Sequence, residues 1–115
     1  MYDFNYQKPS SVADAVNAMK AASDGKVLAG GQTLLGTMKQ RLASPSDLVD
    51  LGGIADLKGI TSDGSSVTIG ATTTHAEVAS SSDVQSVVPA LAAMAGDIGD
   101  RQVRNAGTIG GSLAN

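Results

Sequence analysis

The sequence has no cysteine and no tryptophan, one histidine and one phenylalanine, and aromatics make up only 3% of its 115 residues. Without cysteine, disulfides, thiolate-bound zinc and iron–sulfur ligation are excluded for these residues. The lone His75 has no carboxylate cluster around it, so no metal site is expected, and it is a poor base for a Ser-His-Asp hydrolase. Basic residues never gather into a stripe: eight basic and eleven acidic side chains are scattered, for a net charge of −3. Nucleic acid, which demands clustered phosphate-neutralising charge, is therefore disfavoured. So is an anionic membrane surface. No apolar run approaches the ~18 residues of a membrane span. Met1 to Tyr6 lack the charged and apolar regions of a signal peptide. A cytoplasmic chain with no membrane insertion is the expectation.

The hydrophobic content is 42% and the charged content 17%, which describes a globular chain. Its core must be built from Ala, Val, Leu, Ile and Met. Phe4 and Tyr6 alternate with polar residues before Pro9, predicting an edge strand over 3–6. Ser11 with Asp14 opens a helix over 11–22, with Val12, Ala15, Val16 and Met19 at helical spacing. Residues 26–42 read as strand, glycine turn and helix, the last with Leu34, Leu35, Met38 and Leu42 on one face. A strand over 48–51 and a hairpin around Asp63-Gly64 follow. Thr72 to Thr74 precede a short helix from His75 to Ala79. A further helix runs from Pro89 to Ile98, with Gly99 as its stop. The order is mixed rather than a strict β-α-β alternation. The fold class expected is α+β, with two small lobes dividing near 51–59.

Two glycine-paired segments could carry chemistry. In Leu28-Ala29-Gly30-Gly31-Gln32-Thr33 the glycines fall between a strand and a helix. Backbone N–H groups there could approach the two phosphates of a dinucleotide where a Cβ would obstruct. A plain strand-to-helix turn explains the same residues. The second segment, Gly107-Thr108-Ile109-Gly110-Gly111-Ser112, combines glycines and hydroxyls with one apolar anchor, and a tight surface loop is its alternative. Two such segments together favour one anionic ligand. Competing motifs fail: no two glycines are separated by one residue, so the G-x-G-x-x-G fingerprint is absent. The P-loop spacing from Gly31 to Gly36 has Thr37 where the lysine belongs. Arg101 suits a surface ion pair with Asp97 or Asp100, and Arg104 a loop-bracing role. A structural or solvated place is expected for His75, and no residue is marked as catalytic.

These residues together resemble the N-terminal half of the medium, FAD-binding subunit of the molybdenum hydroxylases, the family of carbon monoxide and xanthine dehydrogenases. The resemblance is carried by Phe4-x-Tyr6 with Pro9, Leu28 to Leu35, Met38-Lys39, Leu48 to Leu51, Ile69-Gly70-Ala71 with Thr73-Thr74, Pro89-Ala90-Leu91 and Gln102 to Gly111. It implies a two-lobed FAD-binding domain of the vanillyl-alcohol oxidase type, incomplete at the C-terminus. The first lobe would cover 1–55, and the second would begin at 56 and run to 115. It also implies FAD held at Leu28 to Thr33 and Gly107 to Ser112, with a molybdopterin-binding large subunit and a 2Fe–2S small subunit as partners. Electrons would pass from the iron–sulfur clusters to an external acceptor. Carbon monoxide dehydrogenases of the family often have His-Ser after the first glycine pair, where this chain has Gln32-Thr33. A nucleotide-binding module without redox activity and a pure interaction domain remain the alternatives from the residues themselves.

Overall fold

The structure, a computed structural model, describes residues 1–115. The chain divides into two compact units, Met1–Asp56 and Leu57–Asn115.

The first unit alternates strictly: β1 (Asn5–Gln7), α1 (Val12–Ala21), β2 (Gly25–Leu28), α2 (Leu34–Lys39) and β3 (Asp47–Asp50). The three strands form one parallel sheet in the order β1-β3-β2. The chain as a whole is α+β as expected, but this unit alone is a parallel β-α-β-α-β array. Parallel pairing forces a crossover between strands, and α1 and α2 supply it. β3 is the central strand, and its neighbouring Leu48 and Val49 are both buried although they face opposite sides. That is the mark of a parallel strand covered on both faces. Ala15, Met38 and Ile54 complete this unit's buried apolar set.

Local chemistry sets the helix ends. Ser11 caps α1 by accepting from the Asp14 amide at 3.1 Å. α2 ends earlier than its apolar spacing suggested, at Lys39, and Leu42 is 76% exposed. The reason is a left-handed residue, Arg41 at φ 60°. The Leu42 amide turns back to the Thr37 carbonyl at 3.0 Å and the Arg41 amide to that of Met38 at 3.0 Å. This is a Schellman stop with arginine in the place glycine usually takes. The Arg41 guanidinium lies 5.3 Å from the Tyr2 ring centroid, a cation–π contact that offsets part of the backbone cost.

The second unit opens with the hairpin of β4 (Ile60–Ser62) and β5 (Val67–Ile69), paired antiparallel. Asp63 closes its turn by accepting from the Ser65 and Ser66 amides at 3.0 and 2.8 Å. Those donors hold its carboxyl at about 2, below the usual 3.8. Five helices follow: α3 (His75–Ser80), α4 (Ser82–Val87), α5 (Pro89–Gly96), α6 (Arg101–Ala106) and α7 (Ile109–Ala114). The core joins Val78, Val84, Ala92 and Ala95, with Ile60, Val67, Ile69, Leu91 and Ile109 packed against it. With no large aromatic to fill space, small side chains let the helices approach closely. The second glycine segment, expected as a loop, is helical from Ile109 onward. Thr108 caps it by accepting from the Gly111 amide at 3.1 Å, and a capped first turn competes successfully with the helix-weakening glycines.

Candidate functional site

In the first unit, Leu28 ends β2 and Ala29 to Thr33 lead into α2. The segment therefore sits at the carboxyl edge of a parallel sheet, the edge at which open α/β sheets bind ligands. Gly31 has φ +75°, the left-handed geometry that turns successive amides toward one point. The amides of Gly30 through Leu34 donate to no protein acceptor; the nearest such bond runs from Leu35 N to Gly31 O at 3.2 Å. Thr33, at the N-cap position of α2, makes no side-chain cap bond. By contrast α1, α3, α4, α6 and α7 are all capped by a side chain, and α5 carries proline in its first turn. Free, consecutive donors with Gln32 and Thr33 exposed beside them fit a diphosphate.

Asp50 ends β3 directly opposite Leu28, and a free carboxylate there would repel an anion. It is engaged instead: it takes the Tyr6 hydroxyl on one oxygen and the Gly52 amide, at 2.8 Å, on the other. The same hydrogen bond to Asp50 raises the pKa of Tyr6, so the phenol stays protonated and donating.

In the second unit, Gly107 to Ser112 lie across the turn Ala71 to His75. The Ile109 amide donates to Thr73 O at 3.0 Å, Gly110 to Ala71 O at 2.8 Å, and Ser112 to Thr108 O at 3.1 Å. Thr74 and Thr108 form an antiparallel bridge. From Ile109 to Ser112 the amides are thus spent inside the protein, and in this segment Thr108 alone keeps an amide with no protein acceptor, where the first segment has a run of them. Its glycines also answer to packing. A Cβ on Gly110 would sit 2.6 Å from the Ala71 carbonyl oxygen, and one on Gly107 would sit 3.1 Å from the His75 ring. At Gly31 a Cβ would meet the movable Leu35 Cδ1 at 2.8 Å. Packing asks for a small residue at Gly110 and Gly107, and the left-handed backbone asks for glycine at Gly31.

His75 is the residue whose part in this arrangement was not read from the sequence. It is 4% exposed. Its amide donates to Gly107 O at 3.0 Å, and its Nε2 lies 3.0 Å from Ser112 Oγ. Burial lowers its pKa below the usual 6.5, so the ring is neutral at pH 7. Thr74, through a capping box with Glu77, holds the start of α3 and with it the ring. The run of threonines before a helix was the available signal; only the fold shows what the run faces. Arg104 braces a loop, but the one before it, donating to Ile98 O and Gly99 O at 3.1 and 3.0 Å.

A parallel sheet with a donor-lined glycine turn at its carboxyl edge, followed by a hairpin-and-helix unit, defines a class. The chain belongs to the family described as the FAD binding domain in molybdopterin dehydrogenase, which matches residues 2–115. It is 48% identical over 113 residues to the carbon monoxide dehydrogenase medium chain of Hydrogenophaga pseudoflava, covering 97% of this chain and 39% of that one. It is 41% identical over 110 residues to the nicotine 6-hydroxylase medium subunit of Paenarthrobacter nicotinovorans, covering 96% and 39%. Among solved structures, the carbon monoxide dehydrogenase from Hydrogenophaga pseudoflava lacking the Mo-pyranopterin moiety matches with a TM-score of 0.94 at 47% identity, over 98% of this chain and 40% of that one. The chain thus spans about two fifths of the length of these relatives. No helix is long and apolar enough to cross a membrane.

Proposed function

We propose that this chain is the FAD-holding part of a medium subunit of a molybdenum hydroxylase, and that it serves electron transfer rather than substrate chemistry. The observation that carries the reading is the run of unpaired amides from Gly30 to Leu34 beside left-handed Gly31. Leu28 to Thr33 would hold the diphosphate of FAD through those amides, with Gln32 and Thr33 as further donors. Gly107 to Ser112 would add a second set of contacts, and there the Thr108 amide, which has no protein acceptor, and the exposed Ser112 hydroxyl are the groups to make them. When bound, the flavin supplies the redox chemistry; the protein supplies binding and orientation. Engaging Asp50 with Tyr6 and Gly52 keeps its carboxylate from competing with the phosphates for the loop.

In this reading electrons arrive from 2Fe–2S clusters on a small subunit, themselves fed by a molybdopterin-binding large subunit, and leave to an external acceptor in the cytoplasm. Relatives with this domain are named for carbon monoxide and for nicotine, which fits a chain that takes no part in choosing the substrate. Fluorescence titration with FAD and with ADP tests the proposal. FAD is expected to bind at least tenfold more tightly, a difference of about 1.4 kcal/mol. Equal affinities would favour a nucleotide-binding module without redox activity. Co-purification of the protein, expressed from its own gene, with an iron–sulfur chain and a molybdopterin chain tests the partners.

A further inference from the structure

We propose that His75 is a positioning residue: it donates from Nε2–H to the Ser112 oxygen and so turns the Ser112 hydroxyl hydrogen outward, toward an anionic oxygen of the bound flavin. The inference rests on the flavin reading above and deepens it at one residue pair.

The argument begins with what the second segment has left to offer. The Ile109, Gly110, Gly111 and Ser112 amides all donate within the protein. The Thr108 hydroxyl is buried and accepts from Gly111. Beside the Thr108 amide, which has no protein acceptor, the polar group this segment has left to offer is the exposed Ser112 hydroxyl. Its protein partner is His75 Nε2 at 3.0 Å.

A serine hydroxyl has one hydrogen and two lone pairs, and a neutral imidazole nitrogen either donates or accepts. If Nε2 accepts, the only hydroxyl hydrogen points inward and a phosphate outside meets lone pairs alone. If Nε2 donates, the hydrogen is free to meet the anion, and the two bonds reinforce each other. Only the second arrangement suits an anionic ligand. The ring is held for this role. Its own backbone amide is tied to Gly107 O at 3.0 Å, the residue is buried, and its Cδ2 packs against Gly107, 3.1 Å from where a Cβ there would stand. His75 is the one histidine of the chain.

That uniqueness makes the test direct. In the chain labelled with ¹⁵N-histidine, the ring nitrogens report the tautomer at neutral pH, with or without FAD. The protonated nitrogen is expected to be Nε2. Ser112→Ala and His75→Leu should each weaken FAD binding roughly tenfold, the scale of one hydrogen bond. His75→Gln, whose amide N–H reaches the place of Nε2–H, should stay within about threefold of the unaltered chain. The double variant His75→Leu with Ser112→Ala should be no weaker than either single change, because the two act through one bond. A protonated Nδ1 with bare Nε2 overturns the proposal. So does a folded His75→Leu chain that binds FAD as well as the unaltered one. Should His75→Leu fail to fold, the tautomer and the His75→Gln titration decide. A folded, unaltered chain that binds no FAD sinks the flavin reading and this inference together. An unaltered chain that binds FAD, with no loss on changing His75, removes only the role given to His75.

Discussion

At the scale of single residues, glycines that look alike in the sequence do different work. Gly31 is required by its backbone, φ +75°, with a flexible Leu35 methyl in the Cβ position. Gly31→Ala should cost about 1–2 kcal/mol and weaken FAD binding, since strain there disturbs the free amides. Gly110→Ala meets the Ala71 carbonyl at 2.6 Å, which cannot yield without losing the Gly110 amide bond. It should lower stability by about 1–3 kcal/mol, and its effect on flavin should follow from that loss. Denaturant midpoints beside FAD titrations separate the two, and parallel losses of flavin without loss of stability at Gly110 would refute the assignment. His75 adds a pH dependence. Its pKa is lowered on folding by burial, so the folded state binds fewer protons than the unfolded one below about pH 6.5. Its contribution is complete above that pH and falls as the pH drops toward the folded value. Unfolding midpoints between about pH 5 and 7.5 should show this slope, and His75→Gln should flatten it.

At the scale of elements, several starts and turns were legible because they rest on neighbours in sequence. Ser11, Thr74 and Pro89 open helices, and Asp63-Gly64 turns a hairpin, through contacts only a few residues long. The end of α2 was misread because apolar spacing continued to Leu42, while the stop depends on Arg41 adopting a left-handed conformation that nothing in its type announces. Arg41→Gly should therefore raise stability by up to about 1 kcal/mol, less whatever the Tyr2 contact contributes. Thermal unfolding of Arg41→Gly and of Tyr2→Leu separates the two effects. A destabilised Arg41→Gly chain would show that the cation–π contact outweighs the strain. The second glycine segment was read as a loop because glycine weakens helices on average. Its helicity comes from the Thr108 cap and from amides taken up by Thr73 and Ala71, residues more than thirty positions earlier.

At the scale of the whole molecule, family membership rests on a match across residues 2–115 and on a shared backbone. A ligand bound only by the folded state stabilises it by mass action. FAD at about a hundred times its dissociation constant should thus add about 2.7 kcal/mol to the unfolding free energy. Scanning fluorimetry with and without FAD measures the shift, and an unchanged transition would count against the flavin reading. The free amides of Gly30 to Leu34 would be the groups whose solvation is exchanged, so their hydrogen exchange should slow on binding.

The sequence by itself determined the family, the two glycine segments, the α+β character and the openings of α1, α3 and α5, because each depends on residue types at short spacing. Tertiary structure alone decided that β3 lies between β1 and β2, that one glycine segment keeps a run of free amides while the other spends its own from Ile109 to Ser112, and that His75 reaches Ser112. Those outcomes depend on which distant groups meet, and a hydrogen-bond donor's fate is settled by the acceptor that folding brings to it.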